Sequence, residues 1–468
     1  MPGEGDYTDT VREDKTSTVN GDKAKPVRRF TWQELSQLNE PHNAHVAVRG
    51  KVYDVSSFVA RHPGGMEQIM MGAGRDITQV FESYHPFSIY NMLNKFYVGE
   101  LVDNEMPVFP KRSEFYGVLK ERVSKYFKDN NIDPKVDYWM FMRYTLFFLT
   151  ANLCWASTMF VYESWTLLLL AAVGWGFFTA LVAMTCTHDA SHFAVTHKPW
   201  VWKLVGSVHD MYQGASILAW MYQHTLGHHP YTNIDGADPD IVTAADDIPD
   251  IRRIKWEQRW MPRYLYQHVY VPMLYCLLGL KTRFQDFYIM FTLKNSTIRL
   301  NRPFPNQWFL FFLGKFTHVV HRAVIPAFFM PWPQLLVANI VAEMCGSYWL
   351  ALIFQTSHVI GEVEWPKPDK DNVVHMDWAE MQVATTQDYA TNSWFWTVFT
   401  GALNHQTTHH LFPGIIQSHY PKITPILAQT CKDFGITYHY VDTTREALSC
   451  HIDHLKKLGQ GQSAKKEQ

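Results

Sequence analysis

Three histidines stand within one short stretch, QHTLGHHPYTN, at His224, His228 and His229. A buried core tolerates an imidazole only when its ring nitrogens are satisfied, so three on adjacent turns make a poor apolar face. Residues four apart on a helix share a side, so His224 and His228 project together with His229 beside them. That arrangement can grip a metal ion; a hydrogen-bonded surface patch is the plain alternative. The pattern recurs in HDASH with His188 and His192, in QTSH ending at His358, and in NHQTTHH with His405, Gln406, His409 and His410. Leaving His405 aside, the groups supply eight imidazoles, more than one ion can bind, and two ions are implied. Imidazole suits zinc, copper and iron alike, so ligand type does not choose among them. HExxH is absent, which disfavours a zinc protease.

A second site lies near the N-terminus, in KVYDVSSFVARHPGGMEQIMMGAGRDITQVFESYHP. His62 of HPGG and His85 bracket an apolar group of Phe58, Ile69, Met70, Val80 and Phe81. Two neutral imidazoles on opposite sides of a flat macrocycle saturate its iron, giving a haem that moves electrons and has no open position for oxygen. Pro-Gly-Gly lets the backbone turn tightly beside the ring. Two core histidines in a small mixed domain are the bland alternative. HPGG preceded by YDVSSF and followed by GxGRDxT and FxxxH resembles the cytochrome b5 family across residues 29–102. That resemblance makes His62 and His85 the axial ligands of haem b, at an interval one residue shorter than in many free members of the family.

An electron carrier bears on the choice of metal. Redox-inert zinc has no use for delivered electrons, whereas paired iron centres that activate dioxygen need them. HDASH, QHTLGHH and QTTHH resemble the three histidine boxes of membrane fatty-acyl desaturases. A fused N-terminal cytochrome b5 and a glutamine opening the third box mark the front-end type. The resemblance covers roughly residues 29–455 and implies iron ligands at His188, His192, His224, His228, His229, His358, His409 and His410. Gln406 stands where related desaturases have histidine, and binds weakly, acts through water or only supports the site. His405 replaces a tyrosine common at that place and is expected to support the site or lie at the surface rather than bind metal. Asp189 is a candidate to orient a ligand by accepting its N–H.

These residues need a scaffold. The chain has 468 residues, net charge −2 and 15% aromatic residues, so no global field argues for nucleic acid. Six scattered cysteines without a CxxC pair fit a reducing environment. Four apolar runs come as two pairs, 144–162 with 164–184 and 308–330 with 333–355, each about 20 residues and long enough to cross a bilayer. The short turns within each pair lack Lys and Arg, whereas Lys198, Lys203, Arg299 and Arg302 flank the spans on the other side. The positive-inside rule then places both termini and every histidine group on the cytosolic side. That agreement between clusters and topology is the main argument from the residues themselves. The run 264–280 is expected to lie at the interface together with 284–293. Lys315, His318 and Arg322 share one face of the third run; either that face turns into the protein or the span begins later.

The expected architecture is an α+β haem-binding domain (29–102), a linker and membrane approach (103–140), and an all-α membrane domain (141–455). The last has four transmembrane helices under a cytosolic histidine-rich diiron cap. Residues 1–28 lack an apolar core, cannot act as a signal peptide, and are expected to be disordered. The tail after 455 ends in SAKKEQ, which resembles a dilysine signal for retrieval to the endoplasmic reticulum.

The resemblance implies that a cytochrome b5 reductase passes electrons through the haem to the iron pair. Dioxygen is then used to remove two hydrogens from an acyl chain carried as acyl-CoA or phospholipid. HDASHFAVTHKPWVW, GHHPYTNIDGADPDI and MQVATTQDYA resemble fungal-type delta-5 members, implying dihomo-gamma-linolenate and eicosatetraenoate as substrates. Delta-6, delta-4 or delta-8 activity, a sphingoid substrate, or a diiron lipid hydroxylase stand as alternatives. Trp220, Tyr222 and Trp394 near the boxes either line an acyl tunnel or anchor the membrane interface.

Overall fold

The computed structural model describes residues 27–110, 114–241 and 250–461; the expected disordered tail and the SAKKEQ terminus lie outside these, save Val27 and Arg28. Strand β1 (Arg28–Phe30) leads into Thr31, which caps the following helix. The Thr31 hydroxyl accepts from Glu34 N at 3.2 Å while the Glu34 carboxylate accepts from Thr31 N at 2.8 Å, so two otherwise unpaired donors are satisfied reciprocally. Strands β2 (Asn39–Glu40), β3 (Asn43–Val48), β4 (Lys51–Asp54) and β5 (Tyr97–Leu101) complete a sheet of order β1-β5-β4-β3-β2, parallel only between β1 and β5. Alternation along β3 sends Val46 and Val48 into the core shared with Met70 and Phe81, and Ala47 to the opposite face with Phe30 and Leu35.

The segment expected as a linker contains the helix Glu114–Asp129. Phe115, Tyr116, Leu119, Val123 and Phe127 recur at helical spacing and are buried with Trp378, Leu411, Tyr420 and Leu427. It is part of the packed cap above the long helices, which its charged outer face conceals in the sequence.

Among the described residues three helices are long and apolar enough to cross a membrane, Tyr138–Val161, Trp165–Ser191 and Trp332–His358. Asp137 and Ser164 cap the first two. The last two run several residues past the expected span ends and carry His188 and His358 in their final turns. They approach closely through facing small residues: a Cβ on Gly176 would overlap the Ala342 carbonyl, and one on Gly346 would lie 2.9 Å from Gly176 O. Exposed Trp332, Leu336, Ile340, Met344 and Tyr348 form an outward stripe at four-residue spacing, and Met142, Leu146, Leu149 and Leu153 form another.

The third apolar run differs from the expected uninterrupted span. It is helical over Pro305–Val319, passes through a π-turn at Val320–Val324 and ends at Ala327. Its polar face turns inward, the first of the two alternatives. Lys315 Nζ bonds Asp286 at 2.6 Å, His318 Nδ1 donates to Tyr212 O at 2.9 Å, and Arg322 reaches Asn339 at 2.9 Å and Glu343 at 3.1 Å. Residues 264–280 form three short helical pieces and the start of the helix Leu278–Thr292, not one span. Gln267 is buried against the backbone of Arg253 and Leu455, while Val269, Met273, Leu277, Leu280 and Phe284 are exposed along one side.

Leucine at position 176 must push the two long helices apart. Gly176→Leu is expected to cost about 1–3 kcal/mol, read as a lower unfolding temperature in detergent than the parent protein.

Candidate metal centre

The histidine groups converge. Ligand nitrogens of His188, His192, His224 and His409 lie within 4.8 Å of one another, and so do those of His228, His358 and His410. His229 sits between the two sets, its Nε2 at 3.2 Å from His224 Nε2 and its ring centroid 4.4 Å from that of His410. All eight are 0–5% exposed, which excludes bulk water from the centre.

Local backbone explains how residues so close in sequence serve two sets. His224–His228 is a π-turn and Ala183–Thr187 another, each interrupting a helix just where a histidine group begins. The wider turn leaves the His224 and His228 rings nearly parallel with centroids 5.6 Å apart, one in each set.

The ring nitrogens fit metal ions. In the second set each Nδ1–H has an acceptor on its outer side: Asp238 for His228 at 3.0 Å, Gln382 Oε1 for His410 at 2.8 Å, and Thr385 O for His358 at 3.4 Å. A neutral imidazole that donates from Nδ1 presents a lone pair at Nε2, so three lone pairs point inward. In the first set, His192 Nδ1 meets Tyr84 at 2.8 Å and His409 Nδ1 meets Tyr420 at 3.2 Å, while the Nε2 atoms of both are buried without a hydrogen-bond partner. Burial holds His224, His229, His409 and His410 well below the usual histidine range, keeping them neutral. Burial acts on His228 in the same direction, but the Asp238 and Asp240 carboxylates outweigh it and raise the ring to about 9, so a metal ion at its Nε2 takes the place of a proton there. The Nε2 lone pairs of His192 and His409, buried without donors, call for a cation.

Gln406 points its amide at the second set, Nε2 lying 3.1 Å from His358 Nε2 and 3.4 Å from His410 Nε2, with Oε1 buried and unpartnered. His405 is buried too, but its nitrogens are taken by Thr424 at 2.8 Å and Thr397 at 3.3 Å, outside both sets. Asp189 accepts from the Tyr144 hydroxyl, not from a ligand ring as anticipated. Trp220 stacks on His224 at 4.5 Å, Tyr222 receives Asn301 N at 3.2 Å, and Trp394 is 74% exposed.

In the N-terminal domain the His62 and His85 rings face each other with centroids 6.3 Å apart. His62 Nδ1 donates to Gly65 O at 3.1 Å and His85 Nδ1 to Phe81 O at 3.0 Å, which frees both Nε2 atoms for one metal-centred ring between them. Gly64 leaves room for the His62 ring, since a Cβ there would lie 2.7 Å from it. Gly65 takes φ 92°, a conformation that favours glycine. Phe81 stacks on His85 and Phe58 meets His62 edge-on, whereas Val80 packs toward Met71 and Leu218 in the other domain.

Comparison with known proteins agrees with this geometry. The family model described as fatty acid desaturase matches residues 163–442, and that of the cytochrome b5-like heme/steroid binding domain matches 31–102. An acyl-lipid (8-3)-desaturase of Mortierella alpina is 46% identical, covering 92% of this chain and 97% of that protein. The chain belongs to the fatty acid desaturase family. A delta(5) fatty acid desaturase A of Dictyostelium discoideum is 36% identical over 92% of the chain and 94% of its own length. An sn-1 linoleoyl-lipid 6-desaturase of Synechocystis is 29% identical over 75% of the chain and 97% of its own length.

The desaturase thus carries a haem-binding domain and a histidine centre consistent with two iron ions. Sequence reasoning missed most of the residues that orient the ligands. Asp238, Gln382 and Thr385 lie in GHHPYTNIDGADPDI and MQVATTQDYA, stretches valued only for their likeness to relatives; Tyr84, Tyr420 and Gln417, whose amide lies 3.1 Å from His188 Nδ1, gave no local signal. Asp238 also accepts from Asn233 N at 2.9 Å and Asp240 N at 2.9 Å, so one carboxylate ties the turn after the second box to its ligand.

Replacing Asp238 by Asn weakens the hold on the His228 tautomer and is expected to lower metal affinity by about 10- to 100-fold. Iron per protein after dialysis against a chelator measures it, with the haem spectrum unchanged. His62→Ala is expected to remove the reduced-minus-oxidised haem spectrum while non-haem iron stays; a retained spectrum would refute the axial assignment.

Proposed function

We propose that this front-end acyl-lipid desaturase is a delta-5 enzyme. It acts on twenty-carbon polyunsaturated chains, converting dihomo-gamma-linolenate to arachidonate and eicosatetraenoate to eicosapentaenoate. The observation that carries the reading is the near full-length likeness to the Mortierella alpina acyl-lipid (8-3)-desaturase, supported by the Dictyostelium delta(5) relative. The histidines His188, His192, His224, His228, His229, His358, His409 and His410 hold the iron pair, with Gln406 beside the second ion, and His62 and His85 hold the haem.

Bound iron supplies the oxygen-dependent oxidation that an unactivated methylene pair requires, and haem supplies electrons singly. The chain's own residues provide the rest. Asp238, Gln382 and Thr385 fix ligand tautomers, the buried cap keeps water out, and Trp220 beside His224 offers an apolar wall to an acyl chain.

We read the helical run 305–327 as a fourth crossing. Exposed Phe309, Phe312, Phe316 and Val319 support it, as does the inward turn of its charges. Both histidine-bearing long helices then end at one membrane face, the cytosolic side of the endoplasmic reticulum, where a flavin-containing cytochrome b5 reductase supplies electrons.

Expression in a host that makes no polyunsaturates, fed C18 and C20 acids, tests the reading through the mass and double-bond position of the products. The expected product from C20:3 has lost two hydrogens and carries its new bond at carbon 5. A new bond elsewhere, or a gain of oxygen, overturns the assignment. His229→Ala is expected to abolish product while the haem spectrum persists.

A further inference from the structure

We infer that Tyr84 is the bridge through which electrons pass from the haem to the iron pair. Its backbone is one peptide bond from haem ligand His85, and its hydroxyl is hydrogen-bonded to His192 at 2.8 Å. The inference rests on the desaturase reading of both centres and assigns a role to a residue outside either ligand set. Tyr84 is the last residue of the helix Thr78–Tyr84 and His85 is its C-cap. Neighbouring helical residues diverge by about 100°, so His85 faces the haem slot while Tyr84 faces the desaturase domain.

The contact is held from several sides. Gly414 leaves space for the Tyr84 ring, since a Cβ there would lie 3.1 Å from it, and Phe193 packs on its face at 5.7 Å between centroids. Lys120 Nζ donates to His85 O at 2.8 Å. Across the seam between domains, Asn301 Nδ2 donates to Met70 O at 2.7 Å and Ala73 O at 2.8 Å, Arg75 donates to Arg299 O at 2.9 Å, and Lys203 pairs with Glu67 at 2.8 Å. With His192 Nε2 directed at the metal set, its Nδ1–H donates to the Tyr84 oxygen. A path of covalent bonds and one hydrogen bond therefore joins the two centres. A competing link runs from His85 O through Lys120 and Tyr116 to Leu411 O, but it crosses a 5.1 Å cation–π gap and ends on backbone.

The step balances as a one-electron exchange: ferrous haem becomes ferric, and one ferric ion of the pair becomes ferrous. Two such electrons, two hydrogens removed from the chain (each carrying one electron and one proton) and two solvent protons reduce one dioxygen to two waters. Tyr84 is unchanged at the end.

The test uses the full-length protein loaded with haem and iron, with Tyr84→Phe keeping the ring and removing the hydroxyl. Haem is reduced with dithionite, and its reoxidation is followed by stopped flow after mixing with oxygenated buffer and acyl substrate. The expected result, with variant and parent compared at matched iron loading, is reoxidation about tenfold slower in Tyr84→Phe, with haem spectrum and haem potential equal to the parent and Tyr116→Phe unaffected. A second measurement takes protein with both centres reduced beforehand; Tyr84→Phe is then expected to give the parent's first-turnover yield. Unaltered reoxidation, slowing by Tyr116→Phe instead, or loss of first-turnover product in Tyr84→Phe at matched iron loading overturns the inference. The haem readout does not depend on where the double bond lands. A parent product at another carbon thus removes the delta-5 reading alone, and a parent protein without iron removes the ground of both.

Discussion

Converging lone pairs are the constraint on which the structure depends. Seven buried imidazoles converge as two sets with His229 between them, and acceptors or hydroxyls such as Asp238, Gln382 and Tyr84 fix several of the rings from behind. Neutral rings arranged in this way repel one another unless cations fill the two sets, and the desolvation of so many polar atoms is unfavourable in an apo chain. Metal binding therefore becomes part of folding, because only the bound state recovers what burial costs. The surrounding cap exists to hold that arrangement dry and fixed.

The ligands come from helix ends because those are the places where rigid elements can be aimed and backbone can still depart from α geometry. His188 and His358 stand in the last turns of two helices locked together at Gly176 and Gly346. The π-turns at Ala183–Thr187 and His224–His228 shift the register of the next helical turn, and the second places His224 and His228 in different sets. A regular α-helix would have left His224 and His228 stacked on one side, serving one ion and starving the other.

Much of this is legible from spacing alone, and the remainder is hidden for physical reasons. The histidine groups, the haem pair and the apolar helices announce themselves because metal ligation and lipid contact demand runs of one residue type. The packed helix Glu114–Asp129 reads as linker because a half-charged helix looks the same whether its apolar stripe meets a partner or solvent. The break at Val320–Val324 is invisible because Lys315, His318 and Arg322 keep helical spacing with or without it; only their partners Asp286, Tyr212 and Glu343 show that the face turns inward. The orienting residues escape for a simpler reason. Asp238, Gln382, Tyr84 and Tyr420 each contact a ligand brought by tertiary structure, and an isolated Asp, Gln or Tyr carries no periodicity to detect.

The seam between the haem domain and the desaturase domain joins polar contacts of Asn301, Arg75, Lys203 with Glu67, and Arg299 with Glu105 to a small apolar cluster that holds Met71, Val80 and Leu218. A free electron carrier with such an interface would depend on its concentration to stay docked, since exposed ion pairs contribute about 0–1 kcal/mol each. Covalent fusion removes that requirement, because tethering keeps the effective concentration of the carrier high without any new contact. A modest interface is then sufficient, and what it must supply is direction rather than affinity. Asn301 does so by binding the carbonyls at the end of one haem-domain helix, and Lys120 by binding that of His85 itself. The two anchors flank the helix that ends in Tyr84, so the orientation of the whole domain is set where the two cofactors come nearest.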